Sequence, residues 1–344
     1  MKMNILTLAA ALLATCCTPV QPYNAPDNSV PETPAVTFAK GADVSWLTQM
    51  ESEGLTFKNK AGESQECMAL LRDDCGVNAI RLRVWVNPAE GWNNIDDVLV
   101  KARRAASLGL AVMIDFHFSD TWADPANQNV PAAWASHDIT ALQKDVKEHV
   151  TAMLTALKTY GVTPQWVQIG NETRGGMMYP LGKYENGANF AQLVNAGYDA
   201  VKAIFPDTQV IVHIDSGDRA DLYARIFGYL KLQNGKYDII GVSFYPEAES
   251  WQASTATLVS NIKTANTTYG KPVMICEIGM TWSEGEACKS MISQIMKDFG
   301  TSGDVLKGIF YWEPEAPAGY NGGYAKGCFA DGTPTVALDP FITE

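Results

Sequence analysis

The chain has 344 residues, 47% of them hydrophobic, and a formal net charge of −12. So acidic a chain is a poor partner for nucleic acid or for an anionic membrane surface. The apolar share is ample for a sizeable core, and nine Trp and thirteen Tyr supply flat apolar faces for packing or for ligand stacking.

The N-terminus opens with Met1, Lys2, Met3 and Asn4, followed by the apolar run 5–14 and by Cys16 and Cys17. A short basic start, a brief apolar stretch and small residues before a break predict a secretory signal. The run is too short to span a bilayer as a mature helix. The stretch 13–16 (LATC) resembles a bacterial lipobox, which predicts an exported lipoprotein on the outer membrane, the cell surface or the periplasmic side. Cys16 is the first acceptor and Cys17 the alternative, with a plain cleaved signal as the other reading. Residues 18–36 follow as a flexible spacer, because 18–34 hold five Pro among polar residues and cannot bury a core. Five Cys remain: Cys67, Cys75, Cys276, Cys288 and Cys328. Cys67 and Cys75 are close enough to pair, and buried free thiols are the equal alternative. The spacing of Cys and His is not that of a structural zinc site.

From residue 37 on, short apolar runs alternate with longer helical patterns. The runs are 38–44, 79–86, 111–118, 166–170, 210–214, 239–245, 273–278 and 309–312. Continuous apolar strands separated by crossover-length segments predict a parallel sheet covered on its faces. The clearest helix is 139–160, with Leu142, Val146, Val150, Met153, Leu154 and Leu157 on one face, Asp138 as its cap and Gly161 at its end. A second is 97–108, closed by Gly109. Eight such units predict one α/β domain over 37–344, a (β/α)8 TIM barrel, with functional residues at the C-terminal ends of the strands.

The predicted strand ends carry a concentrated set of polar and aromatic residues: Asp43; Arg81, Arg83 and Trp85; Asp115, His117 and Asp120, then Trp122; Asn171 and Glu172; His213 and Asp215; Tyr245; Glu277; and Trp312 and Glu313. Glu172 and Glu277 come from strands on opposite sides of the barrel, and closure brings them together over its mouth. Cleaving an acetal between sugars needs a proton donor for the leaving oxygen and stabilisation of an oxocarbenium-like centre, which two carboxyl groups supply when their surroundings drive their pKa values apart. Glu277 is expected to be the nucleophile, kept ionised by Arg81, and Glu172 the acid/base. Asn171 is expected to bond a sugar 2-hydroxyl. His117 and Tyr245 are expected to orient the carboxylates, with His213 in support. Trp85, Trp122 and Trp312 are candidate sugar platforms. Asp43 either binds a hydroxyl or holds an arginine, and Glu313 is expected to point away.

The segment 38–329 resembles glycoside hydrolase family 53, the endo-β-1,4-galactanases. The matching stretches are 40–46 (KGADVSW), 78–85 (NAIRLRVW), 115–125 (DFHFSDTWADP), 131–134 (PAAW), 168–173 (QIGNET) and 308–314 (GIFYWEP). The resemblance implies a retaining barrel glycosidase with acid/base Glu172 and nucleophile Glu277. It implies internal cleavage of β-1,4-galactan, a side chain of pectin. A monomer without cofactor is expected. Some bacterial members carry an acidic, glycine-rich calcium loop after strand 7. Here 280–286 (MTWSEGE) is short and lacks those ligands, so no metal is expected. Family members also place a further Trp after the last motif, where this chain has 315–319 (EAPAG).

Overall fold

The computed structural model describes residues 35–342, so the expected signal, lipobox and nearly all of the spacer lie outside the described residues. Eight parallel strands close on themselves in chain order: β1 Ala39–Asp43, β2 Ala79–Val84, β3 Ala111–Phe116, β4 Trp166–Ile169, β5 Gln209–Ile214, β6 Ile239–Phe244, β7 Val273–Ile278 and β8 Leu306–Trp312. Pairing of β1 with β8, Asp43 opposite Trp312, completes the ring. The outer layer is α1 Leu47–Ser52, α2 Cys67–Cys75, α3 Ile95–Ser107, α4 Ile139–Thr159, α5 Asn189–Ile204, α6 Ala220–Leu232, α7 Trp251–Tyr269 and α8 Gly285–Phe299. A 3-10 segment, Val336–Phe341, closes the chain against α8 and α2. No helix among the described residues is long and apolar enough to cross a membrane.

Local chemistry sets the element bounds. The Asp138 carboxylate accepts from the Ala141 N–H and starts α4 where the sequence predicts. α3 begins two residues earlier than predicted, because the Asn94 side chain, not a residue near Asp97, takes the free N–H at the start. Val36, the last residue of the expected spacer, is tied to Gln165 by two hydrogen bonds of 3.0 and 2.8 Å.

Strands flanked by a lumen and by helices are buried on both sides, which is why their runs read as continuously apolar. Outward residues such as Ile80, Leu82, Val112 and Ile114 join the helix-facing core. The lumen is filled by Trp166 and Phe310, edge to face at 5.9 Å, with Met113, Ile211, Ile239 and Met274. Ala39, Ala79 and Ala111 leave the space that these two large rings occupy. The five cysteines are buried free thiols, so the 67–75 pairing does not form.

Period-2 alternation fails once where it matters. Between Val242 and Ser243 the register of β6 against β7 skips Cys276, so that Ile275 pairs Val242 and Glu277 pairs Ser243. Ile275 and Ile278 both face the helices, and the extra residue lets Cys276 and Glu277 both turn inward. A bulge of this kind leaves the extra residue out of the register and re-aims the side chains beside it.

At Gly41 an added methyl would stand 2.2 Å from the Phe310 ring. Gly41→Ala is expected to lower stability by about 1–3 kcal/mol through overpacking. Thermal unfolding should show the loss, and adding Phe310→Leu should recover part of it.

Candidate active site

The C-terminal ends of the strands open into a cleft of about 480 Å³. Its floor is polar, with Asn171, Glu172, Glu277 and Tyr245, and its wall is aromatic, with Trp46, Trp122, Trp312 and Tyr324. A smaller cavity adjoins it on the other side of Glu172, against Asp215, Ser216 and Asp218.

The floor is organised by Arg81, which is fully buried. Its guanidinium meets three carboxylates: Asp43 at 2.8 Å, Asp115 at 2.9 Å and Glu277 at 3.1 Å. It also donates to Gln168 Oε1 and Asn171 Oδ1, each at 3.0 Å. Asp43 therefore holds an arginine, which decides between its two predicted roles. Burial would raise Asp115, but Arg81 and His117 overcome it and hold that carboxyl below the usual range.

Glu277 receives Arg81 on Oε1 and the Tyr245 hydroxyl on Oε2 at 2.9 Å. Glu172, in the left-handed region at φ 47, has a different partner: the Ser243 hydroxyl, 2.7 Å from its Oε1. Ligand atoms of Glu172, Glu277 and His213 all lie within 4.8 Å of one another. Burial and the nearby Glu277 push the Glu172 pKa up to about 8. Burial also raises Glu277, against the opposing pull of Arg81 and Tyr245. Two carboxyl groups this close do not both ionise near neutrality. The proton belongs on the one without a bonded cation, which is Glu172.

Among the described residues, Glu172, His213 and Glu277 are the one group with metal-ligating spacing. Both ring nitrogens of His213 are already engaged, Nε2 by Ser243 and Nδ1 by Asn171. That leaves two carboxyl groups, a weak set for a divalent ion.

Other expected residues take more specific places. Asn171 spends Oδ1 on Arg81 and Gln168 and one Nδ2 proton on Ala123 O, leaving one N–H at the cleft. His117 lines the cleft, yet it does not orient either glutamate as expected. Its Nε2 contacts Asp115 at 3.0 Å, and its Nδ1 accepts from Trp85 Nε1 and the Ala123 N–H. Trp85 is a correction too: it is not among the cleft-lining residues and packs edge-on to Trp122 at 5.2 Å. Trp312 and Trp122 do face the cleft.

Sequence reasoning missed Trp46, Tyr324, Gln168 and Ser243. Trp46 is the hub of the aromatic wall, with Trp122, Trp312, Tyr320 and Tyr324 at 5.1–5.7 Å. Beneath it sits Arg83, whose guanidinium faces the rings of Trp46 and Trp85 at 5.2 Å and of Trp122 at 4.4 Å. Arg83 is paired with Glu313 at 2.7 Å, and Glu313 also accepts the Trp46 N–H. Burial pushes Glu313 up to about 7 although Arg83 opposes it. Glu313 thus turns below the wall and away from the floor, as expected.

The profile of glycosyl hydrolase family 53 matches residues 39–331. The chain belongs to this family. Similar curated proteins include a probable arabinogalactan endo-β-1,4-galactanase A of Aspergillus fumigatus, 33% identical over 80% of this chain and 83% of that one. Another is the arabinogalactan endo-β-1,4-galactanase of Thermothelomyces thermophilus, 34% identical over 81% and 90%. Among solved structures, a fungal β-1,4-galactanase superposes with a TM-score of 0.81 at 30% identity, covering 90% of this chain and 99% of its own. The family 53 catalytic domain of Ignisphaera aggregans gives 0.80 at 26%, covering 91% and 97%. Family 53 chains are glycosidases, and the closed barrel is the fold they share with this one.

Tyr245→Phe removes a donor that favours ionised Glu277. If Glu277 and Glu172 set the two limbs of the kcat/KM profile, the acid limb should therefore move to higher pH, while the alkaline limb, near the Glu172 value of about 8, stays in place. A pH series on both proteins reads the two limbs separately.

Proposed function

We propose that this chain is an endo-acting, retaining galactanase that cleaves β-1,4 bonds in galactan and type I arabinogalactan, the galactan side chains of pectin, by double displacement. One observation carries the reading: two carboxyl groups with an oxygen of each within 4.8 Å, one on a buried arginine and the other on a neutral hydroxyl. That separation suits retention, where about 5–5.5 Å is typical, and falls short of the roughly 6.5–9.5 Å that inversion needs to admit a water.

In the first step Glu172 gives its proton to the glycosidic oxygen while Glu277 bonds to the anomeric carbon, and the leaving chain departs as an alcohol. Arg81 and Tyr245 keep Glu277 an anion until it attacks. In the second step Glu172, now a carboxylate, takes a proton from water. The hydroxide so formed attacks the anomeric carbon and frees Glu277, and two inversions restore the starting configuration. Asn171 offers its spare N–H to the sugar 2-hydroxyl, a bond that strengthens as charge develops on the ring. Trp122 and Trp312 present apolar faces to the C–H side of the sugars, and Trp46 holds them in place.

The galactan preference follows the activity for which the similar galactanases are named. The competing reading is another retaining β-glycanase, a mannanase or cellulase, with the same floor and a different wall. A catalytically inactive surface glycan-binding lipoprotein is the third, which the intact carboxyl pair disfavours. The N-terminal signal and LATC stretch support export with a lipid anchor on Cys16 or Cys17, with a monomeric barrel carried on the spacer.

Reducing-sugar release should appear on potato galactan and not on mannan or carboxymethyl-cellulose. The converse pattern would overturn the substrate assignment. Glu172→Ala and Glu277→Ala should each lose at least about 10³-fold in turnover on galactan. Both should still bind it in affinity electrophoresis, and near-normal rates in either would refute its role. Metabolic labelling with palmitate in a bacterial host should mark the wild type and fail in a Cys16→Ser, Cys17→Ser double variant.

A further inference from the structure

Ser243 belongs to an inward position of β6 that the β7 bulge places opposite Glu277. It is 1% exposed, and its hydroxyl has two polar neighbours: Glu172 Oε1 at 2.7 Å and His213 Nε2 at 2.9 Å. A hydroxyl carries one proton, so it donates to one neighbour and accepts from the other. On its other side His213 Nδ1 meets Asn171 Oδ1 at 2.9 Å, the Gln168 amide at 3.1 Å and the Glu172 backbone N–H at 3.4 Å. The ring is thus anchored at Nδ1 by residues at the end of β4 and presents Nε2 to Ser243.

We infer that Ser243 is a positioning residue for Glu172: His213 fixes the Ser243 hydroxyl, and that hydroxyl in turn fixes the Glu172 carboxyl group. This rests on the assignment of Glu172 as the acid/base. The ring of contacts is closed: the Glu172 backbone N–H points to His213 Nδ1, His213 Nε2 meets Ser243 Oγ, and Ser243 Oγ meets the Glu172 side chain. His213 also clamps the next residue, since its carbonyl accepts from both N–H and Oγ1 of Thr173, at 2.8 and 2.9 Å. Both ends of the left-handed Glu172 are thereby tied to one residue of β5.

The chemical consequence concerns the carboxylate form. A hydroxyl held at this distance donates to Glu172 once its proton has gone to the leaving oxygen, and charge-assisted bonds are the stronger kind. The other groups facing Glu172 are Glu277 from β7, Asp124 from the loop after β3, and the more distant Arg81 from β2. Glu277 and Asp124 favour the protonated form, and Arg81 and Ser243 oppose them. Burial keeps His213 far below its usual pKa, aided by Arg81, so the ring stays neutral throughout the working pH range.

The test compares wild type, Ser243→Ala, Ser243→Thr and Glu172→Gln on two substrates across pH. One is galactan. The other is an aryl β-galactooligoside, whose acidic phenol needs no proton to leave. Ser243→Ala should lose about ten- to a hundred-fold in kcat on galactan. It should lose little in the first step on the aryl substrate, and its alkaline limb should move to higher pH. Ser243→Thr keeps the hydroxyl and should restore both. An equal loss on both substrates with an unmoved alkaline limb would overturn the inference. If Glu172→Gln itself keeps wild-type rates on galactan, the acid/base assignment fails instead of the relay.

Discussion

A single desolvated charge constrains this site. The Arg81 guanidinium is sealed under the cleft, and a cation there is tolerable only if carboxylates converge on it. Asp43, Asp115 and Glu277 do so from three strands, and Gln168 and Asn171 take further donors. One cation is thus shared among three anions, and none of it is left for a fourth carboxyl. Glu172 lies close enough to Glu277 to feel its charge and has only a serine hydroxyl in reach, so it keeps its proton. The division of labour between two chemically identical side chains follows from where the one arginine points.

The neighbouring inward position of β2 repeats the device for a different purpose. Arg83 is balanced by Glu313 and capped by three tryptophan rings. It fixes the aromatic wall as Arg81 fixes the floor. Because strand side chains alternate, the two arginines are two residues apart on one face of β2, one under the polar floor and one under the aromatic wall. Substituting either leaves buried carboxylates without their partner, so losses of stability and of activity arrive together.

Much of this was legible in the chain. Continuous apolar runs spaced by helices specify the barrel, and the barrel rule puts function at the strand ends. That puts Glu172, Glu277, Arg81, Asn171 and Tyr245 at one end of the barrel. What escaped did so for physical reasons. Ser243 is one small polar residue in an apolar strand, and nothing in its spacing sets it apart. The bulge at Cys276 breaks the alternation that would have assigned Glu277 to a face. Trp46 precedes a short helix and reads as core, while Tyr324 comes from an irregular segment after β8 that has no periodicity to read. His117 and Trp85 have the right chemistry at the right height, yet each spends its polar atoms on a neighbour.

The central claim is that Arg81 leaves the shared proton on Glu172 and the charge on Glu277. Carbon-13 NMR of protein carrying labelled glutamate carboxyls, titrated with pH and assigned with Glu172→Gln and Glu277→Gln, observes this directly. Glu172 should be the upper-titrating member, near pH 8, and its titration should fall when Glu277→Gln removes the adjacent charge. Finding Glu277 as the upper member, or a Glu172 titration indifferent to that substitution, would contradict the account.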